Sequence, residues 1–227
     1  MKISLVLLTL NEIDGLRAVF EAIPCAEVDE VLVVDGGSID GTREFLKERN
    51  VRIVEQEHPG RGAAMRRAAE VAMGDVLVFF SPDGNEDPSD IGRFRPLLEG
   101  GNDLVIASRM MTGAFNEEDD QLLRWRKWAN KAFTNLAHLF WGTSGSKVTD
   151  TINGYRAIRR EAFERLALDS SGYTIEFQMT VRALKTGLSI VEFPTAEGQR
   201  IGGESYARSL PTGWAMLKTL VAEINPF

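Results

Sequence analysis

Two acidic segments each follow an apolar run. Val31-Leu32-Val33-Val34 leads into Asp35-Gly36-Gly37-Ser38-Ile39-Asp40-Gly41-Thr42, and Val76-Leu77-Val78-Phe79-Phe80 leads into Ser81-Pro82-Asp83-Gly84-Asn85. A carboxylate such as Asp35 can accept hydrogen bonds from a base or a ribose. The paired glycines beside it permit close backbone approach to a ligand. Asp83 and Asn85 offer two oxygens to a hard cation such as Mg²⁺ or Mn²⁺. Such an ion would neutralise the diphosphate of a departing nucleotide. Together the segments predict a nucleotide site with a divalent metal. Each also has a plainer reading as a turn, because Gly, Ser and Asp are common in turns. Glu86 and Asp87 read as solvated acids.

A third segment, Pro59-Gly60-Arg61-Gly62-Ala63-Ala64, places Gly-x-Gly at a helix start without full dinucleotide or P-loop spacing. Arg61 is a candidate for phosphate or base, while Ala63 and Ala64 read as close packing of helix on sheet. Arg124, Arg126, Lys127 and Lys131 form a basic helix face, for which solvation is the alternative to phosphate contact.

These residues need a frame. Near-continuous apolar runs over 31–34 and 76–80 predict strands buried on both faces of a parallel sheet. Further strands are predicted over 3–8, 51–54, 104–107, 154–158 and 188–193. Helices are predicted over 13–23, 40–49, 62–73, from Pro88, 121–141, 174–186 and 213–224. Alternation of strand and helix predicts an α/β fold, and open sheets of this class bind ligands at the carboxyl ends of their strands. Residues 110–120 read as an acidic, mobile flap over the site. Trp214, Leu217, Leu220, Val221 and Ile224 make one apolar stripe. It reads as a face docked on the sheet or on a second copy in a homo-oligomer, with peripheral membrane contact as the alternative.

The 227 residues, 44% of them hydrophobic, suffice for one large domain over 1–227. Its expected parts are a nucleotide half over 1–109, an acceptor half over 110–210 and a terminal helix over 211–227. A net charge of −7 argues against general nucleic-acid binding. The lone Cys25 excludes an intrachain disulfide. The first residues read as a strand rather than a signal peptide, and no segment approaches the roughly 20 apolar residues of a membrane span. The expected location is the cytoplasm or the cytosolic face of a membrane.

The motifs together resemble family 2 glycosyltransferases, most closely the dolichyl- and polyprenyl-phosphate sugar synthases. The resemblance rests on Leu7 to Glu12, Val34 to Thr42, Gly60 to Ala64, Val105 to Arg109, Asp150-Thr151-Ile152-Asn153-Gly154-Tyr155-Arg156 and Arg200-Ile201-Gly202-Gly203-Glu204-Ser205. It implies a GT-A-type fold with a mostly parallel central sheet flanked by helices. It also implies inverting sugar transfer from a nucleoside diphosphate sugar to a lipid phosphate or a glycan, with Mg²⁺ or Mn²⁺ as cofactor. The implied nucleotide-binding residues are Thr9, Asn11, Glu12, Asp35, Gly37, Arg61, Gly62 and Asp83, and the metal ligands are Asp83 and Asn85. Arg109, Arg126, Asn130, Arg156, Arg200 and Ser205 fall on the acceptor side, where arginine holds phosphate oxygens bidentately.

Asp83, Arg109 and Arg126 are the expected catalytic residues for a phosphate acceptor. A sugar hydroxyl would need a base, for which Asp150 and Glu176 are the candidates. The chain departs from the family pattern in having Ser81 for the first acid of the metal motif, Gly36 for a second Asp, and Tyr206 for a lysine. These departures keep two alternatives open: a sugar-hydroxyl acceptor, and nucleotide-sugar binding with little turnover.

Overall fold

The computed structural model describes residues 1–119, 124–142, 147–202 and 209–224. Seven strands, β1 (Ile3–Thr9), β2 (Glu30–Asp35), β3 (Arg52–Glu55), β4 (Val76–Phe80), β5 (Leu104–Ser108), β6 (Arg156–Arg159) and β7 (Ile190–Pro194), form one sheet in the order β3-β2-β1-β4-β6-β5-β7. All pairings are parallel except those of β6, which runs antiparallel between β4 and β5. The expected mostly parallel sheet is present, and every predicted strand lies within two residues of its expected bounds.

Among the described residues, eight α-helices flank the sheet: α1 (Ile13–Val19), α2 (Thr42–Glu48), α3 (Arg61–Val71), α4 (Ile91–Glu99), α5 (Trp125–Trp141), α6 (Arg160–Arg165), α7 (Ile175–Lys185) and α8 (Ser209–Ile224). Successive strand residues point to opposite faces, so β1 feeds two cores. Val6 and Leu8 join the core under α3 and α5 to α8, while Leu5 and Leu7 join the core under α1, α2 and α4. The six-residue α6 escaped sequence reading because it is shorter than two helical turns.

The apolar stripe on α8 is divided. Leu220 turns inward with Met216, each burial contributing about 1.5–3 kcal/mol. Trp214, Leu217, Val221 and Ile224 stay exposed. The inward face also carries a charge. Glu223 is buried between Arg182 (2.7 Å) and Lys185 (3.1 Å) of α7, so an ion-pair network as well as apolar packing fixes the helix. No helix among the described residues is long and apolar enough to cross a membrane.

β1 lies between β2 and β4. The loops leaving its carboxyl end and that of β4 therefore open a crevice at a point where the winding of the sheet reverses. α1 approaches this crevice closely. A Cβ on Gly15 would lie 2.3 Å from the Pro82 carbonyl oxygen, so glycine permits α1 to rest on the 81–85 loop.

Candidate active site

The ends of β1 and β2 are laced into one shelf. Asp35 is buried and accepts four hydrogen bonds, from Thr9 Oγ1 (2.9 Å), Gly37 N (3.1 Å), Ser38 N (3.0 Å) and Ser38 Oγ (2.6 Å). Its acceptor positions are filled by the protein, so it shapes the turn that presents Gly37. Asn11 adopts φ 57° and ties the β1 loop to the β2 loop by accepting from Ile39 N (2.9 Å) and donating its own N–H to Ser38 Oγ (2.9 Å). Glu12 N donates to Thr42 Oγ1 at 2.9 Å. Asp40 accepts from Thr42 N (3.0 Å), and Gly41, at φ 97°, takes the position that caps α2.

At the end of β4, Asp83 and Asn85 face a cavity of about 890 Å³. Arg200 crosses this loop. It donates to Asp83 Oδ2 at 2.8 Å and to both oxygens of Glu12 at 2.5 Å. Backbone bonds fasten the same segment, from Ile201 N to Asp83 O and from Gly198 N to Asn85 O, each 2.8 Å. Burial pushes the Glu12 carboxyl up to about 7 although Arg200 opposes it. Burial likewise raises Asp83 against the pull of Arg200.

Glu86 is the main correction to the sequence reading. It is buried, lines the cavity, and accepts from Ser81 N at 2.8 Å. Its backbone bridges to Glu197, and Asp87 beside it is exposed as expected. Burial, then the charge of Asp83, pushes Glu86 well above the usual carboxylate range.

Asn85 Oδ1 is buried and has no hydrogen-bond partner. Buried polar atoms are nearly always paired, so an unpaired acceptor beside a carboxylate fits a hard cation. Among the described residues no group of three or more His, Cys, Asp or Glu side chains forms a complete metal cage.

Arg61 and Arg109 hold the floor. Arg61 pairs with Glu176 and donates to Ser81 Oγ at 3.1 Å. Arg109 grips Asp150 through Nε (2.8 Å) and Nη2 (3.2 Å), and reaches Glu197 through Nη1 at 3.1 Å. Asn130 completes the shell of Asp150 at 2.7 Å. Burial alone would raise Asp150, and the Arg109 guanidinium outweighs it to hold the carboxyl below its ordinary range.

The profile of Glycosyl transferase family 2 matches residues 4–167, which run from the second residue of β1 through β6 and include both acidic segments. The chain belongs to glycosyl transferase family 2. It is 30% identical to polyprenol monophosphomannose synthase of Mycolicibacterium smegmatis, across 92% of this chain and 82% of that protein. It is 31% identical to Glycosyltransferase AglJ of Haloferax volcanii across 86% of this chain, and spans 62% of that relative. Among solved structures, glucosyl-3-phosphoglycerate synthase from Mycobacterium tuberculosis, in complex with Mn²⁺, UDP and phosphoglyceric acid, superimposes with a TM-score of 0.75. It shares 24% identity over 100% of this chain and 80% of that chain. The sheet is thus of the GT-A glycosyltransferase type.

In this family 2 chain the cavity collects Arg61, Asp83, Asn85, Arg109, Arg126, Asn130, Glu176 and Arg200 from the sequence-derived set. Thr9, Asn11, Glu12, Asp35 and Gly37 form the adjoining shelf. Three of the described residues fall elsewhere. Asp150 is fully buried behind Arg109 and Asn130. Arg156 is fully buried, with its guanidinium donating to Asn153 O, Glu176 O and Thr180 Oγ1 (2.7–3.0 Å), so it braces the floor from behind. Gly62 lies under the 170–171 loop, where its N–H donates to Ser171 O at 2.9 Å and a Cβ would meet Ser170 O at 2.1 Å. Its role is close packing rather than phosphate contact. Ser205, with Gly203, Glu204 and Tyr206, lies outside the described residues.

The flap expected over 110–120 is described to residue 119. Phe115 N donates to Thr195 O (3.1 Å) and Glu197 N to Phe115 O (2.9 Å). Glu118 accepts from Arg126 N (3.2 Å) and Lys127 N (2.9 Å), which caps α5, and Arg126 pairs with Glu117 at 2.7 Å. The acidic segment therefore neutralises the basic face of α5. Sequence reading missed Glu197 and Tyr173, which also line the cavity. Neither sits in a recognisable motif, and Glu197 becomes a site residue only through partners far away in sequence.

Proposed function

We propose that this chain transfers a sugar from a nucleoside diphosphate sugar to a polyprenyl phosphate, with inversion at the anomeric carbon. One observation carries the reading. The cavity that holds Asp83 and Arg109 at its floor is lined toward solvent by Trp125, Leu210, Trp214 and Leu217, with Phe133 and Met216 behind them. A charged floor under an apolar mouth suits an acceptor with a phosphate head and a hydrocarbon tail. Named relatives, polyprenol monophosphomannose synthase and undecaprenyl-phosphate mannosyltransferase of Micrococcus luteus, support that acceptor class.

The donor nucleoside rests on the shelf of Thr9, Asn11, Glu12 and Gly37, and its diphosphate lies toward Arg61, Asp83 and Asn85. Asp83 and the unpaired Asn85 Oδ1 are the side chains that would hold Mg²⁺ or Mn²⁺. When bound, that ion offsets the charge of the departing diphosphate. Donor entry draws Arg200 away from Asp83 and toward the phosphates. Arg126, which is half exposed and paired only at the surface, exchanges Glu117 for the acceptor phosphate. Arg109 stays on Asp150 and Glu197 and fixes the floor beneath the acceptor.

An acceptor phosphate oxygen forms the new bond to the anomeric carbon while the bond to the diphosphate oxygen breaks on the opposite face. No proton need be removed. Asp150 is fully engaged by Arg109 and Asn130, and Glu176 is paired through Oε1 with Arg61, which supports a phosphate acceptor over a sugar hydroxyl.

The test is transfer of labelled sugar from UDP- and GDP-linked donors to polyprenyl phosphate in detergent, with Mn²⁺. A labelled lipid whose sugar is released by mild acid is expected. Donor binding without transfer to any polyprenyl phosphate would overturn the acceptor, and transfer to free sugars instead would replace it with a hydroxyl acceptor.

A further inference from the structure

Glu86 is not used by the proposed chemistry, yet it is a buried carboxylate on the cavity wall. It is buried, and its one hydrogen bond is from Ser81 N. The cations around it are engaged elsewhere. Arg61 holds Glu176 and Ser81, and Arg200 holds Glu12 and Asp83. A buried carboxylate without a cation of its own is expensive unless something arrives to pair with it.

The neighbouring atoms indicate what arrives. Glu86 lines the same cavity as Asp83 and as Asn85, whose Oδ1 is buried and unpartnered. Ser81 offers only a hydroxyl there, and that hydroxyl accepts from Arg61. Without Glu86, the loop after β4 presents one carboxylate to a divalent ion. Affinity for such ions depends on how many charged oxygens surround them. The Glu86 oxygen bonded to Ser81 N at 2.8 Å puts a second carboxylate at the base of that loop, where position 81 has none. The bridge to Glu197 and the bond from Gly198 N to Asn85 O hold it there.

We propose that Glu86 supplies the second negative charge of the divalent-metal site, in the place of a carboxylate at position 81. This rests on the donor-and-metal reading above.

Calorimetric and electron-spin titration of Mn²⁺ into the protein, saturated with UDP or with GDP, tests it without turnover. Glu86→Gln keeps an acceptor for Ser81 N–H and removes only the charge. It is expected to weaken Mn²⁺ binding about 10- to 100-fold, with metal-free nucleotide affinity within about twofold of the parent. Adding Ser81→Asp to Glu86→Gln moves the charge across the hydrogen bond and is expected to restore most of the loss. Glu86→Asp keeps the charge one methylene further back, and gives an intermediate Mn²⁺ affinity should Glu86→Gln fold poorly. Parent-like Mn²⁺ binding by Glu86→Gln would overturn the inference while leaving the donor site standing. So would an equal loss of metal-free nucleotide binding, the mark of a purely structural role. A parent protein that takes up no Mn²⁺ with either nucleotide would remove the metal reading itself.

Discussion

At the floor of the cavity Arg61, Arg109 and Arg200 each grip buried carboxylates, whereas at its mouth Trp125, Leu210 and Trp214 face solvent with 65%, 89% and 62% of their surface exposed. The floor is preorganised. Its charges were desolvated when the chain folded, and binding a diphosphate rearranges partners that already exist. The mouth has committed little in folding. The contrast separates two kinds of sensitivity: change at the floor reaches stability and chemistry together, while change at the rim reaches the acceptor alone.

The severest way to break that contrast is Arg109→Met. It leaves Asp150 and Glu197 buried and unpaired, and a loss of about 3–5 kcal/mol is expected in denaturant unfolding. A near-neutral result would mean that the floor is wetter than its geometry implies. Asp83→Asn comes next. Turnover should fall about 10²- to 10³-fold, with a lowered unfolding midpoint, because Arg200 loses a buried charged partner. An unfolding midpoint equal to that of the parent would break the link between chemistry and scaffold at the floor. Arg126→Ala acts at the rim. About a tenfold drop in kcat/KM for polyprenyl phosphate is expected, and stability should stay within about 0.5 kcal/mol because the Glu117 pair is exposed. Undiminished transfer would remove Arg126 from the acceptor.

The mildest test concerns Glu12. Its folded carboxyl titrates near 7, above the ordinary 4.5, so the folded state holds this proton more tightly than the unfolded chain does. That contribution is complete below about pH 4.5 and is lost as pH rises through 7. Melting temperature should therefore fall across this window, and Glu12→Gln should flatten part of the slope.

The same contrast governs what could be read from sequence. Strands buried on both faces announce themselves by apolar runs, and Asp35 and Asp83 follow from where those runs stop. Arg61 and Arg109 follow from their motifs. Their partners do not, because a salt bridge such as Arg200 with Asp83 joins residues 117 positions apart and leaves no local pattern. Glu86 was misread for this reason: beside Asp87 and before Pro88 it looks like any turn acid, and the strand-like partner it pairs with, Glu197, is remote in sequence. The stripe on α8 was read as one surface because periodicity reports which residues share a face, not how wide the face is. Leu220 falls inside that width, and Val221 falls outside it.

The placement of β6 has a consequence for biosynthesis. β1 to β4 can pair among themselves as soon as residue 80 is made, since each finds its neighbour within that stretch. β5 cannot. Both of its partners, β6 and β7, are translated later, after the whole excursion from Arg109 to Tyr155. Until then Leu104–Ser108, entirely buried in the finished molecule, is an apolar strand with two open edges. The interval between residues 108 and 159 is therefore the period of greatest exposure to aggregation for the nascent chain.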